Sequence, residues 1–225
     1  MSHQKNTDLS RFCFESTEDM AWESSPSTSV FRKRLHLSGE KESGRVTSMV
    51  QYLPNSHFPS HPHPDGEEIF VLEGTFSDEH GDWSAGSYLL NPEGIEHQPF
   101  SKEGCTIFVK LRQYSGVGRK QLQLDTKELT WQPTSNSQVQ TKLLYQQKGF
   151  IDITRLEKWG ADTQLEKRSY QEGAEIYVIS GSLYDENGTY PKGSWLRFPK
   201  NYCHIPATEE GCTIYIKTGG IEYIK

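Results

Sequence analysis

The sequence has no apolar run long enough to cross a bilayer as a helix, which takes about 20 consecutive apolar residues, so a membrane-spanning helix is excluded. Cysteine is scarce. Its four residues, Cys13, Cys105, Cys203 and Cys212, form no CxxC pair, which excludes zinc-ribbon and thioredoxin signatures and fits a reducing compartment. Basic charge is not in surplus either. Lys and Arg number 24 against 30 Asp and Glu, a net charge of −6, so no nucleic-acid partner is expected. The polar start, Met1 to Ser10, lacks the apolar core of a secretory signal, and a cytoplasmic location is expected. Long amphipathic helical stretches are missing too. Short β-branched and aromatic runs alternate with Gly and Pro turns instead, which is the pattern of an all-β fold. A length of 225 residues allows one large or two small domains.

The chemistry that is present concentrates in His61-Pro62-His63-Pro64-Asp65-Gly66-Glu67. Side chains alternate on an extended strand, so His61 and His63 point the same way. Asp65-Gly66 is a turn signal that returns Glu67 on the next strand, close to both imidazoles. Downstream, Asn91-Pro92-Glu93-Gly94 is a tight turn that sets His97 on a following strand. Three neutral imidazoles and a carboxylate make a site for one divalent transition metal, with zinc first and iron, manganese or nickel as alternatives. An HxH pair alone is weak in a chain with eight His; the surrounding spacing is what gives it weight. Glu67, Ile69 and Val71 share one strand face and should line an interior. Glu68, one residue out of phase, should face away with Phe70 and Leu72, a face that needs cover of its own. His36, His57 and His80 read as strand or surface residues.

These residues resemble the cupin superfamily. Its first motif, HxH, three residues, Glu, six residues, Gly, is met by His61, His63, Glu67 and Gly74. Its second, Gly, five residues, Pro-x-Gly, two residues, His, is met by Gly86, Pro92, Gly94 and His97, with Ser101 where an Asn often trails. The stretch from Phe76 to Asp82, followed by Glu103-Gly104-Cys105, is similar to the cupin domain of ChrR-type anti-sigma factors. The resemblance implies a double-stranded β-helix, or jelly roll, with His61, His63, Glu67 and His97 as metal ligands.

The second half repeats the first at an offset of 107 residues: Gly66 meets Gly173, Gly74 meets Gly181, Asp78-Glu79 meets Asp185-Glu186, and His97 meets His204. Such a repeat means two copies of one fold. The expected organisation is an N-terminal arm (1–29), a metal-binding cupin domain (30–118), a polar linker (119–140) and a degenerate second cupin domain (141–225), that is, two tandem jelly-roll barrels. The arm carries Phe12, Phe14 and Trp22, which want cover. In the second copy Arg168, Tyr170 and Ala174 stand where the first has His61, His63 and Glu67, so no metal is expected there. His204 is then either a hydrogen-bonded core residue or, with Arg168 and Tyr170, part of a pocket for an anion or small ligand. Cys105 and Cys212 occupy matching strand starts and should not pair with each other.

Three functions fit. The resemblance implies a ChrR-like regulatory or sensor protein with a small molecule bound at the metal. Members of that family bind an extracytoplasmic-function sigma factor through a separate N-terminal zinc domain, and residues 1–60 hold no HxxxCxxC stretch. The alternative is a metal-dependent dioxygenase or hydrolase acting on a small ketone or diketone. A purely structural metal is the third. No residue stands out as a general acid or base, and a homodimer is left open.

Overall fold

The computed structural model describes residues 4–224 and is almost entirely β; among these residues the one helical element is a 3-10 turn at Gly220–Ile224. The chain divides into two units. Residues 20–128 form the body of one, and residues 8–19 with 129–223 form the other. Each is a jelly-roll barrel, so the tandem all-β architecture is as expected.

In the first barrel seven antiparallel strands run in the order Leu122–Asp125, Ser87–Asn91, Glu67–Asp78, Cys105–Leu111, Arg45–Tyr52, Val30–Ser38 and Glu23–Ser24. Alternation decides what the central strand buries. Ile69 and Val71 join Val50, Leu89, Ile107 and Val109 in one interior cluster, each such side chain contributing about 1.5–3 kcal/mol by leaving water. The strand bends at Gly74, whose φ is 72°. Its register against Cys105–Leu111 shifts between Thr106 and Ile107, and a side chain at Gly74 would collide with the Gly104 carbonyl. Only glycine permits that approach. Beyond the bend the strand changes partner to Gly81–Ser84 and meets Phe100 at Ser77, which curls the sheet around its core.

The second barrel uses the same order: Cys13–Ser16, Ser194–Phe198, Ala174–Asp185, Cys212–Thr218, Ile153–Trp159, Val139–Gln146 and Gln132–Pro133. Gly181 takes the role of Gly74 with a φ of 69°.

Two segments differ from the expectation. Residues 119–140 are not simply a linker. Leu122–Asp125 is the edge strand beside Ser87–Asn91, and Gln132–Pro133 pairs with Val139–Gln146. The N-terminal arm likewise contains a strand, Cys13–Ser16, paired with Ser194–Phe198 of the second unit. The Phe12 ring stacks on Tyr202 at 5.7 Å and packs against Phe198 at 5.2 Å, and Phe14 meets Tyr190 edge-on at 5.2 Å. So the segment before each repeat supplies the edge strand of the other repeat's barrel. Edge strands are half solvated, and their polar composition resembles that of loops.

Candidate metal centre

The His pair sits on a two-stranded ribbon in which His61–Pro62 runs antiparallel to Glu96–His97, with His61 opposite His97. After His63 the chain turns through two consecutive left-handed residues, Asp65 (φ 57°) and Gly66 (φ 75°). The Gly66 N–H donates to the His63 carbonyl at 3.0 Å, and Glu67 follows at the head of the long strand. This is the turn that Asp-Gly favours.

The side chains converge. His61, His63 and His97 each offer a ring nitrogen within 4.8 Å of the others, the one group of three potential ligands of this kind among the described residues. Glu67 Oε2 lies 3.6 Å from His63 Nε2 and 3.5 Å from His97 Nε2. Donors about 2.1 Å from one tetrahedral ion stand about 3.4 Å apart, so this spacing fits a shared cation. His63, Glu67 and His97 are all buried, and the two imidazole Nε2 atoms have no hydrogen-bond partner. Orphaned buried polar atoms are costly, and two facing one carboxylate oxygen fit an ion between them. Glu68 faces elsewhere and accepts the Tyr88 hydroxyl at 2.7 Å.

Outer contacts fix the rings. Asp78 Oδ2 is 2.9 Å from His97 Nδ1, and the Pro59 carbonyl is 2.8 Å from His61 Nδ1. Each makes Nδ1 the protonated nitrogen and leaves the Nε2 lone pair for the site. Asn91 Nδ2 donates to Glu67 Oε2 at 3.3 Å. Burial pushes the His63 pKa down against the pull of Glu67, which favours the neutral, ligating form. At His97 burial also pushes down, but the Asp78 hydrogen bond and the Glu67 charge outweigh it and raise the pKa.

Asp78 was missed by sequence reasoning, which noted only that Asp78-Glu79 recurs as Asp185-Glu186. A signal existed: Asp and His keep the same separation in both repeats, Asp78 with His97 and Asp185 with His204. His36 is a buried strand residue of Val30–Ser38, with Nδ1 3.0 Å from the Asn6 carbonyl; His57 stacks on Phe100 and His80 is exposed.

A cavity of about 440 Å³ opens beside His61, His63 and Glu67; Val46, Val50, Ile107 and Val109 form an apolar wall, and Arg32, Arg34, Lys41, Glu42 and Arg112 line the rest. Size and lining suit a small organic ligand.

In the second barrel three of the four ligand positions carry hydrogen-bonded groups, Arg168, Tyr170 and His204, and the fourth is Ala174. Arg168 grips Glu157 in a fork, with its two terminal nitrogens 2.8 and 2.6 Å from the carboxylate oxygens. Arg155 and the Trp159 indole also donate to that carboxylate, at 2.8 and 3.1 Å. His204 Nδ1 is 2.8 Å from Asp185, and its Nε2 is 3.2 Å from the Tyr170 hydroxyl. Of the two readings of His204, this geometry carries the hydrogen-bonded core residue. Burial alone would raise the Glu157 pKa; the Arg168 charge and hydrogen bonds, with Arg155, hold it at about 2.

All four cysteines are free thiols, with Cys105 and Cys212 buried at matching strand starts.

A family model, the ChrR cupin-like domain, matches residues 11–115 and again 119–222. No curated protein sequence matches the chain. Among solved structures, a putative dioxygenase from Nostoc punctiforme superposes with a TM-score of 0.76 at 17% identity, covering 92% of this chain and 82% of that one. The bacterial pirin YhhW from Escherichia coli, solved in complex with nickel(II), gives 0.66 at 14% identity over 92% of this chain and 98% of its own. Oxalate decarboxylase from Bacillus subtilis, with Mn(II) centres, gives 0.63 at 13% identity over 95% and 79%. At these identities the likeness is one of fold.

Proposed function

The chain belongs to the ChrR cupin-like domain family, and from that premise we propose that its first barrel is a metal-dependent sensor that binds a small molecule beside one divalent ion. His61, His63, Glu67 and His97 would hold the ion, zinc first, with iron, manganese or nickel as alternatives. The observation that carries this reading is the pair of buried, unpartnered Nε2 atoms of His63 and His97 converging on Glu67. A bound divalent ion supplies Lewis acidity and a coordination position that a ligand can fill. The protein's own groups do the rest. Asp78 and the Pro59 carbonyl hold two imidazoles in the ligating tautomer, Asn91 steadies Glu67, and Val46, Val50 and Val109 supply an apolar wall. A sigma factor enters as a candidate partner by family resemblance only, because residues 1–60 hold no HxxxCxxC stretch of the sigma-binding zinc domain, and the cytoplasm is the compartment expected.

The second reading is the dioxygenase or hydrolase, which the adjoining cavity would admit. Sensing is preferred because the phenol and the carboxylate that line the cavity beyond the ligands are both committed. Burial, with the Glu67 charge, keeps the Tyr52 phenol protonated far above its ordinary range, and Glu42 is tied to Arg32 and Arg34. The test is metal analysis of natively purified protein, then cobalt substitution with azide titration. One equivalent lost on His97→Ala, with a cobalt spectrum that moves on adding azide, is the expected result. A tetrahedral spectrum indifferent to azide would make the metal structural. Dioxygen uptake by the iron-loaded protein would favour the enzyme.

A further inference from the structure

Arg112 stands out in the first barrel on three counts. Its φ is 60°, in the left-handed region; the other described non-glycine residues there, Asn6, Asn55, Asp65, Asp162 and Asn201, are all Asn or Asp, which tolerate it. The second barrel has Gly219 at the same repeat position, with a φ of 77°. The Arg112 N–H donates to Gly66 O at 2.9 Å as the Gly219 N–H does to Gly173 O at 3.1 Å, so the two backbones are alike and only the first carries a side chain. Secondly, Arg112 lines the cavity beside the metal centre. Thirdly, its guanidinium has no hydrogen-bond or ion-pair partner among the described residues. Arg34, which lines the same cavity, is tied to Glu23 at 2.7 Å and to Glu42 at 3.1 Å, and Arg32 to Glu42 at 2.6 Å.

A long cation placed where the backbone favours glycine, and left unpaired, is strain kept at a binding site. Resting on the metal-dependent reading above, we infer that the small molecule it calls for is a carboxylate with an apolar body, its carboxylate held by the Arg112 guanidinium and its body lying against Val50, Ile107 and Val109. A guanidinium fork matches a carboxylate in two hydrogen bonds, and the apolar part of the wall admits an alkyl or aryl group.

The test is calorimetric titration of the zinc-loaded full chain with hexanoate and with benzoate, using hexanamide and hexyl phosphate as controls. Wild type binds at least one of the two carboxylates; Arg112→Gly weakens that binding by about 10- to 100-fold, the worth of a charged hydrogen-bonded pair, while Arg112→Lys retains part of it. Glycine relieves the backbone, so Arg112→Gly melts no lower than wild type and keeps its zinc. Failure of both carboxylates to bind, equal affinity in wild type and Arg112→Gly, or binding of hexyl phosphate in their place overturns the inference. Carboxylate binding that needs Arg112 in a chain that takes up no zinc supports it and instead sinks the metal reading.

Discussion

The two barrels share a strand order, a bend glycine and an Asp–His pair, yet their interiors solve opposite problems. The first gathers three imidazoles and Glu67 around a shared point with two nitrogens unpartnered. The second places Arg168 at the His61 position and satisfies it with Glu157, which replaces Val50 of the first barrel. One fold can line the same interior with donors that converge on a point or with a cation of its own. Losing the ligands was not enough. A buried guanidinium needs a carboxylate, and Arg155 and Trp159 complete that carboxylate's hydrogen bonds.

That ion pair is where the comparison breaks most severely. Glu157→Ala leaves Arg168 buried and uncompensated and should destabilise the second barrel by about 3–5 kcal/mol, whereas the matching Val50→Ala in the first costs less, about 1–2 kcal/mol for a trimmed valine beside a cavity. Chemical denaturation of the two variants ranks them, and equal costs would refute the pairing.

Acid should act on the same group. The folded-state pKa of Glu157 is depressed from 4.5 to about 2, so its stabilisation is fully present above pH 4.5 and is lost as pH falls toward 2. By linkage the loss is about 3 kcal/mol. Glu157→Gln should flatten that part of the stability–pH curve, measured by denaturant midpoints from pH 6 downward.

The Asp–His pairs offer a sharper contrast. Asp78→Asn should weaken metal binding by about 10- to 100-fold, because the carboxylate orients His97 from outside. Asp185→Asn, its counterpart against His204, should leave metal affinity unchanged. Competition against a chelating dye reads both, and an effect at Asp185 would put a metal in the second barrel.

Smaller still are the backbone effects. Gly219→Ala should cost about 1–3 kcal/mol, since the residue is left-handed and an added Cβ would lie 2.6 Å from the Ile151 carbonyl. Arg112→Gly should gain up to about 1 kcal/mol if its native strain is relieved. Thermal melts decide whether the signs differ. Last, burial pushes the Cys105 thiol up to about 11 and the Cys212 thiol to about 12. Both should resist alkylation in the native protein while half-buried Cys13 and Cys203 react first, and four thiols should titrate once the chain is unfolded without reductant.

The all-β class, the doubled fold, the grouping of His61, His63, Glu67 and His97, and the loss of that grouping in the second copy were all legible in the residues alone. These follow from local rules: alternation along a strand, the Asp-Gly turn, and spacing that recurs at a fixed offset. Composition misled where segments are polar on one side only, so the strands at Cys13–Ser16 and Leu122–Asp125 read as arm and linker. Contacts between residues far apart in the chain needed the folded barrels to be seen: Asp78 with His97, Glu157 with Arg168, each edge strand with its barrel, and Arg112 in the cavity. None of these has a local signature, because a hydrogen bond or ion pair across a barrel depends on where the strands are brought together and not on which residues neighbour one another in sequence.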